Sequence, residues 1–251
     1  MGRVRQKVAV ITGAGTGVGR ACMQLFAAEG AKVVGVSRTQ RNLDETLEHL
    51  RGAGGVGMVL ARDLSTDSGA EEVVQAALKA YGRVDILVHA AGVGYSWMVK
   101  SPGSMNDVAE TTPDKWREVM RINLDSYYLT ARAVVPRMKA QGGGAIVAVT
   151  SISGLQGLAS AHAYTAAKGG AINLTRSLCV AYAKDNIRAN CIAPGFIDTP
   201  MVASIINLFD DPDMAERLAP MRRPGTPEEM AYGCLYLASD EASYCNGTVL
   251  V

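Results

Sequence analysis

The chain of 251 residues is poor in aromatic side chains: three Phe, two Trp and nine Tyr, none interleaved with basic runs. Its charges nearly cancel, 25 Lys and Arg against 24 Asp and Glu, for a formal net charge of +1. A nucleic-acid-binding surface leaves a basic excess, so no nucleic-acid partner is expected. The five cysteines, Cys22, Cys179, Cys191, Cys234 and Cys245, are scattered, with no CxxC pair and no histidine at metal-ligating spacing. That pattern predicts no metal site and no disulfide framework, but small buried thiols in a reducing, cytoplasmic compartment. No window approaches 18 uninterrupted apolar residues, and no apolar run of signal-peptide length precedes the strand-like stretch at Val8. Neither a membrane span nor a secretory leader is expected. "MGRVRQ" places Gln6 where a myristoylation signal needs Ser or Thr. Linkers, low-complexity tracts and short repeats are also missing.

What is present is alternation. Apolar, β-rich runs fall at 8–12, 32–37, 57–62, 85–90, 145–150, 188–193 and 248–251. Helical patterns lie between them, near 18–29, 40–52, 67–81, 114–140, 162–185 and 227–239. The runs are continuously apolar rather than alternating, which suits parallel strands covered on both faces. Strand–helix alternation over the whole length predicts one α/β domain, 1–251, a doubly wound parallel sheet of about seven strands. Such sheets bind ligands at the carboxyl ends of their strands.

The first strand runs into "TGAGTGVG" (12–19), with glycines at 13, 15, 17 and 19 and helix-compatible sequence after them. Residues without a Cβ let the backbone approach a pyrophosphate, and the next helix N-terminus offers free N–H groups. A strand before and a helix after make this a dinucleotide-binding turn. Its spacing is TGxxxGxG rather than GxGxxG. Farther on, "AYTAAKGG" sets Tyr164 and Lys168 four residues apart among small side chains. On a helix the two share one face. Either a surface tyrosine rests on a lysine stem, or a phenol is held beside a cation that favours its ionised form and lowers its pKa.

Several motifs in order resemble the short-chain dehydrogenase/reductase family over essentially the whole chain. They are "TGAGTGVG", Asp63 after the third strand, "HAAG" (89–92), Asn123 in "INLDS", Ser151 in "VTSISG", Tyr164 with Lys168, and "PGFIDT" (194–199). The resemblance implies a Rossmann-like fold and a hydride transfer between a nicotinamide and an alcohol/carbonyl pair, with Tyr164 as acid/base. It implies Ser151 on the substrate oxygen, with Thr150 and Ser153 as neighbours able to play the same part. It implies Lys168 on the nicotinamide ribose, and Asn123 holding a water that links the lysine to bulk solvent. Cofactor contacts implied are Gly13, Gly15, Thr16, Gly17, Val18 and Gly19 in the turn, and Asp63 and Leu64 at the adenine. Ala91 and Gly92 would contribute backbone, and Pro194, Gly195, Ile197 and Thr199 would lie near the carboxamide. Asp63 is open to a second reading, as a helix N-cap. "HAAG" departs from the family's usual Asn-Asn-Ala-Gly, and His89 on its apolar strand reads as a satisfied core histidine. NAD-users of this fold end the second strand in a carboxylate; here Ser37 and Arg38 stand there, which points to NADP, with NAD as the alternative. No basic residue occupies the glycine loop, where NADP-users often carry one; the place is Thr16.

Two segments are expected to shape the substrate pocket: the loop 93–113, longer than the family usually has, and the lid 199–220. Tyr95, Trp97 and Met98 can line a pocket or pack the loop down. Met201, Ile205, Leu208 and Phe209 give the lid an apolar face, which points to a largely apolar small molecule. The chain ends at Val251, where the family normally continues into an Asp-Gly-Gly turn. A homo-oligomer, tetramer or dimer, is implied by the resemblance, joined in part through helices 114–140 and 162–185. The alternative function is a catalytically silent NAD(P)-binding regulator on the same scaffold; the complete Ser151–Tyr164–Lys168 set favours the enzyme, since a sensor needs no proton relay.

Overall fold

The computed structural model describes residues 2–251. Its strands are β1 (Val8–Thr12), β2 (Lys32–Ser37), β3 (Val56–Ala61), β4 (Ile86–His89), β5 (Gly144–Val149), β6 (Ile187–Ile192) and β7 (Val249–Leu250). They form one seven-stranded sheet in the order β3-β2-β1-β4-β5-β6-β7, every pairing parallel. β1 reads VAVIT and is buried at all five positions, as a central strand covered on both faces must be. β3, at the sheet edge, is only partly buried along its length.

The principal helices are α1 (Gly17–Ala28), α2 (Gln40–Gly52), α3 (Asp67–Tyr81), α4 (Pro113–Met120), α5 (Ser126–Ala140), α6 (His162–Tyr182), α7 (Pro212–Leu218) and α8 (Pro227–Ala238). They cover the sheet in two layers. Phe26 and Met23 of α1, Leu43 of α2 and Leu235 of α8 pack with one face; Val73 of α3, Val134 of α5 and Ile172 of α6 pack with the other. Burial of this apolar surface, at roughly 25 cal/mol per Å², is the main force holding helices to sheet.

The strand order reverses between β1 and β4, so a crevice opens beyond their carboxyl ends. The helical stretch expected as one unit at 114–140 is interrupted: α4 passes into a π turn, Arg121–Asp125, before α5 begins. The last strand is shorter than its apolar run, two residues against four.

Candidate active site

The glycine turn is shaped by what surrounds it. Gly13 has φ of +68°, and a Cβ there would lie 2.7 Å from the carbonyl oxygen of Ala90. A side chain is excluded both by conformation and by space. Thr12, just before it, is buried, and its hydroxyl accepts from the Ala90 and Ala91 amides at 3.0 Å each. The turn after β1 and the "AAG" turn after β4 are thereby fastened together. α1 follows with Thr16 at its N-cap, no side-chain cap bond and no acidic residue in the first turn. Its first N–H groups and the positive end of its dipole remain available to an anion.

This turn forms one end of a cleft of about 490 Å³. Every residue expected to hold the cofactor lines that cleft: Gly13, Gly15, Thr16, Gly17, Val18 and Gly19 of the turn, Ser37 and Arg38, Asp63 and Leu64, Ala91 and Gly92, and Pro194, Gly195, Ile197 and Thr199. Ser151, Tyr164 and Lys168 line it too. Length, glycine backbone and a free helix N-terminus suit a dinucleotide, and the ionisable set suits its nicotinamide end. Asp63 does not cap α3; Thr66 does, accepting from the Gly69 amide. Instead Asp63 accepts from the Ser65 amide at 2.9 Å and hydroxyl at 2.7 Å. Burial pushes its carboxyl up, but the Ser65 hydrogen bonds and the charges of Arg38 and Arg121 outweigh it and leave the pKa lowered.

The catalytic candidates gather where β5 and α6 meet. Ser151 follows β5, buried, and its Oγ donates to Ser153 Oγ at 3.0 Å and accepts from the Ser153 amide at 3.1 Å. Thr150, one of the two neighbouring hydroxyls, is committed to the Ile192 carbonyl at 2.6 Å. Ser153 is a buried partner of Ser151, so sequence order alone could not rank the three. Tyr164 and Lys168 stand one turn apart on α6, only 6% and 5% exposed, with Lys168 Nζ 5.6 Å from the centre of the phenol ring. The surface-pair reading of these two residues is thereby set aside. Lys168 Nζ donates to the Val149 carbonyl at 3.1 Å.

Electrostatics correct the expectation of a lowered phenol pKa. Burial pushes Tyr164 up to about 12, against a smaller downward pull from the Ser151 hydroxyl, while the neighbouring Tyr95 adds to the rise. Burial also lowers Lys168 to about 8. In both residues burial strips the charged form of its hydration, and that cost is the leading cause of each shift. Near neutral pH Tyr164 therefore carries its proton.

Asn123 does not reach the cleft wall. The π turn packs it, 2% exposed, behind the "AAG" turn: its Oδ1 accepts from the Val93 amide at 3.1 Å and its Nδ2 donates to the Val119 carbonyl at 3.1 Å. Gly92 passes between it and the cleft, and a Cβ at Gly92 would stand 2.7 Å from Asn123 Oδ1 and 3.5 Å from Lys168 Nζ. His89 is buried as the sequence implied. Burial and the nearby Lys168 charge lower it to about 3, so it is neutral. Thr12 Oγ1, already accepting two amides, lies 3.3 Å from Nδ1 and can only donate to it. Nε2 then carries the proton and faces Ser126 Oγ at 3.4 Å. Ser126 in turn donates to the Ile122 carbonyl at 2.7 Å.

The two long segments meet over Tyr164. The Ser96 amide donates to the Met201 carbonyl at 3.0 Å, and Ser96 Oγ to Ser204 Oγ at 3.2 Å. Tyr95 lines the cleft, its ring 6.2 Å from that of Tyr164. Trp97 packs the loop down, and Met98 is exposed. Thus the three aromatic and apolar residues of the loop divide among both readings and solvent. Met201 and Val202 bring apolar surface to the cleft, whereas Phe209 turns to Phe196 with ring centres 5.8 Å apart. Gln156 and Leu158 after Ser151, and Arg217 and Leu218 of α7, also line the cleft. No local motif marks these four. The helix start at Asp211–Pro212, with Asp211 capping the Asp213 and Met214 amides, is the one signal that a helix crosses there.

The family model described as enoyl-(acyl carrier protein) reductase matches residues 13–251. The 3-oxoacyl-[acyl-carrier-protein] reductase of Thermotoga maritima is 35% identical over 252 residues, covering 99% of this chain and 96% of that one. The cis-4-hydroxycyclohexanecarboxylate dehydrogenase of Sinomonas cyclohexanicum is 37% identical over 248 residues, covering 98% and 94%. A crystal structure of a short-chain dehydrogenase/reductase from Burkholderia xenovorans superposes with a TM-score of 0.90 at 36% identity, covering 100% of this chain and 96% of that one. With the turn, the cleft and the Ser–Tyr–Lys cluster in place, these similarities settle the family: the chain is a short-chain dehydrogenase/reductase, an oxidoreductase of alcohol and carbonyl groups.

Proposed function

We propose that the protein reduces a largely apolar ketone to a secondary alcohol with NADPH, Tyr164 serving as proton donor. The observation that carries this reading is the buried Tyr164, one helix turn from Lys168 and lining the cleft with Ser151. When bound, the nicotinamide supplies the hydride. Ser151, held by the Ser153 amide, would turn its hydroxyl hydrogen from Ser153 Oγ to the carbonyl oxygen and oppose the charge that develops there. Tyr164 delivers a proton to that same oxygen, so the carbonyl carbon gains hydrogen and the oxygen becomes a hydroxyl. Lys168, its ammonium kept inside the fold, would hold ribose hydroxyls and oppose the phenolate left behind. Asn123 acts at one remove, supporting Gly92 and Val93. In the reverse direction the same phenol oxygen takes the alcohol's proton as the hydride leaves.

Tyr95, Met201 and Val202 support an apolar substrate. So do the names of two relatives, one acting on a 3-oxoacyl group and one on a cyclohexane ring. Arg38 at the end of β2 supports NADP over NAD. A homo-oligomer and a cytoplasmic site belong to the same reading: Tyr128 of α5 and Val180 of α6 are exposed, and the five cysteines are unpaired. Among the described residues no helix is long and apolar enough to cross a membrane.

The test is turnover of a panel of cyclic and acyclic ketones, and of the matching alcohols, followed by nicotinamide absorbance with each cofactor. The reading expects ketone reduction with NADPH to be fastest. No turnover with any member, despite tight cofactor binding, would favour a silent regulator.

A further inference from the structure

Arg38 makes no hydrogen bond or ion pair among the described residues. It is nevertheless not loose. Its guanidinium carbon lies 5.1 Å from the centre of the Trp97 ring, and Lys100 Nζ lies 5.9 Å from the same centre. Trp97 is itself fixed. Its Nε1 donates to Glu118 at 2.9 Å, and the same carboxylate is taken by Ser101 at 2.7 Å and Lys115 at 3.3 Å. Glu118 is thus saturated by other donors; among the described residues no carboxylate lies within ion-pair distance of Arg38 or Lys100, although the Asp63 carboxyl feels the Arg38 charge. Two like charges beside one ring repel each other unless an anion joins them. Stacking occupies the flat face of a guanidinium and leaves its in-plane N–H donors free.

We infer that Trp97 and Lys100, from the long loop after β4, complete the site for the adenosine 2′-phosphate of NADP. Trp97 holds the Arg38 guanidinium beside its ring, where the N–H donors stay free for the phosphate, and Lys100 supplies the second cation that the glycine loop, with Thr16, does not. The inference rests on the NADP reading above. It also gives the loop a second task, since Tyr95, two residues earlier, lines the cleft beside Tyr164.

The test uses 2′,5′-ADP and 5′-AMP as probes, titrated calorimetrically into the parent, Arg38→Ala, Trp97→Leu, Trp97→Phe and Lys100→Gln proteins. The parent should bind 2′,5′-ADP more tightly than 5′-AMP, and Arg38→Ala should lose about tenfold or more of that preference. Trp97→Leu should lose about two- to fivefold, with Trp97→Phe, which keeps an aromatic face, retaining most of it. Lys100→Gln, at an exposed position where folding is not at stake, should lose up to about fivefold. Affinity for 5′-AMP should hold throughout. A parent that prefers 2′,5′-ADP, with Trp97→Leu and Lys100→Gln preferring it equally well, would overturn this inference and leave the NADP reading standing. A parent with no preference would overturn both.

Discussion

Lys168 shows how a single residue trades stability for chemistry. Its ordinary pKa of 10.5 is lowered to about 8 by burial, so below pH 8 folding bears the cost of dehydrating an ammonium. Between pH 8 and 10.5 the folded chain sheds the proton first, and stability rises with pH. Tyr164 works in the opposite sense from pH 10 upward, where the folded chain keeps a proton the unfolded one loses. Replacing Lys168 by Met should therefore stabilise the fold at pH 7 by up to about 3 kcal/mol while removing activity. The gap should narrow from pH 8 to 10, as read by urea midpoints. A parent whose stability is flat over that range would contradict the burial argument. His89 carries the acid counterpart. It stays neutral in the fold down to about pH 3, whereas the unfolded chain takes up a proton near 6.5, so stability falls on acidification. His89→Asn should remove about 2–3 kcal/mol of the loss between pH 7 and 4.5, seen as a smaller drop in urea midpoint. The identity and order of Ser151, Tyr164 and Lys168 were legible in the sequence. The direction of the phenol shift was not, because spacing reports who is near whom and burial is set by the whole fold.

At the scale of elements, the loop and α4 act as one clasp through Glu118. Three donors converge on its carboxylate, whose pKa is lowered: burial pushes it up, but the Ser101, Trp97 and Lys115 hydrogen bonds and the Lys115 charge prevail. Glu118→Ala should cost about 1–3 kcal/mol and free residues 95–105 to exchange amide hydrogens faster. Because Tyr95 and the Ser96–Met201 bond sit on that segment, KM for the ketone should rise more than kcat falls. Unchanged exchange across 95–105 would show that the loop is held by something else. This clasp could not be read beforehand: Glu118 looks like any solvated helix residue until the loop folds back on it. The π turn was hidden for a similar reason, since "RINLD" keeps helical spacing and the extra residue per turn leaves no mark in the sequence. By contrast β1, β2, β4, β5 and β6 announced themselves as continuous apolar runs, because each is buried between neighbours on both sides.

For the molecule as a whole, the reversal of strand order beside β1 brings the residues proposed to hold phosphate, sugar and nicotinamide along one cleft. A ligand that binds only the folded state stabilises all of it, by about 2.7 kcal/mol at a hundred times its dissociation constant. At equal concentration NADP⁺ should thus raise the melting temperature more than NAD⁺, and Arg38→Ala should bring the two shifts together. Equal shifts in the parent would remove the case for a 2′-phosphate site. The lining of the cleft on its proposed cofactor side was legible, since the turn glycines and strand ends lie beyond the carboxyl edge of the sheet in this topology. Its substrate side was not: Gln156, Leu158, Arg217 and Leu218 reach the cleft only through the paths of two irregular segments. The central claim is that Tyr164 gives the proton, and one comparison tests it most directly. Ketone reduction with NADPH is measured as kcat/KM in the parent and in Tyr164→Phe, alongside NADPH affinity by calorimetry. Removing the positioned acid should lower kcat/KM by about 10²–10⁴ with cofactor affinity nearly unchanged; a Tyr164→Phe protein that binds NADPH and reduces ketones at the parent rate would contradict the account.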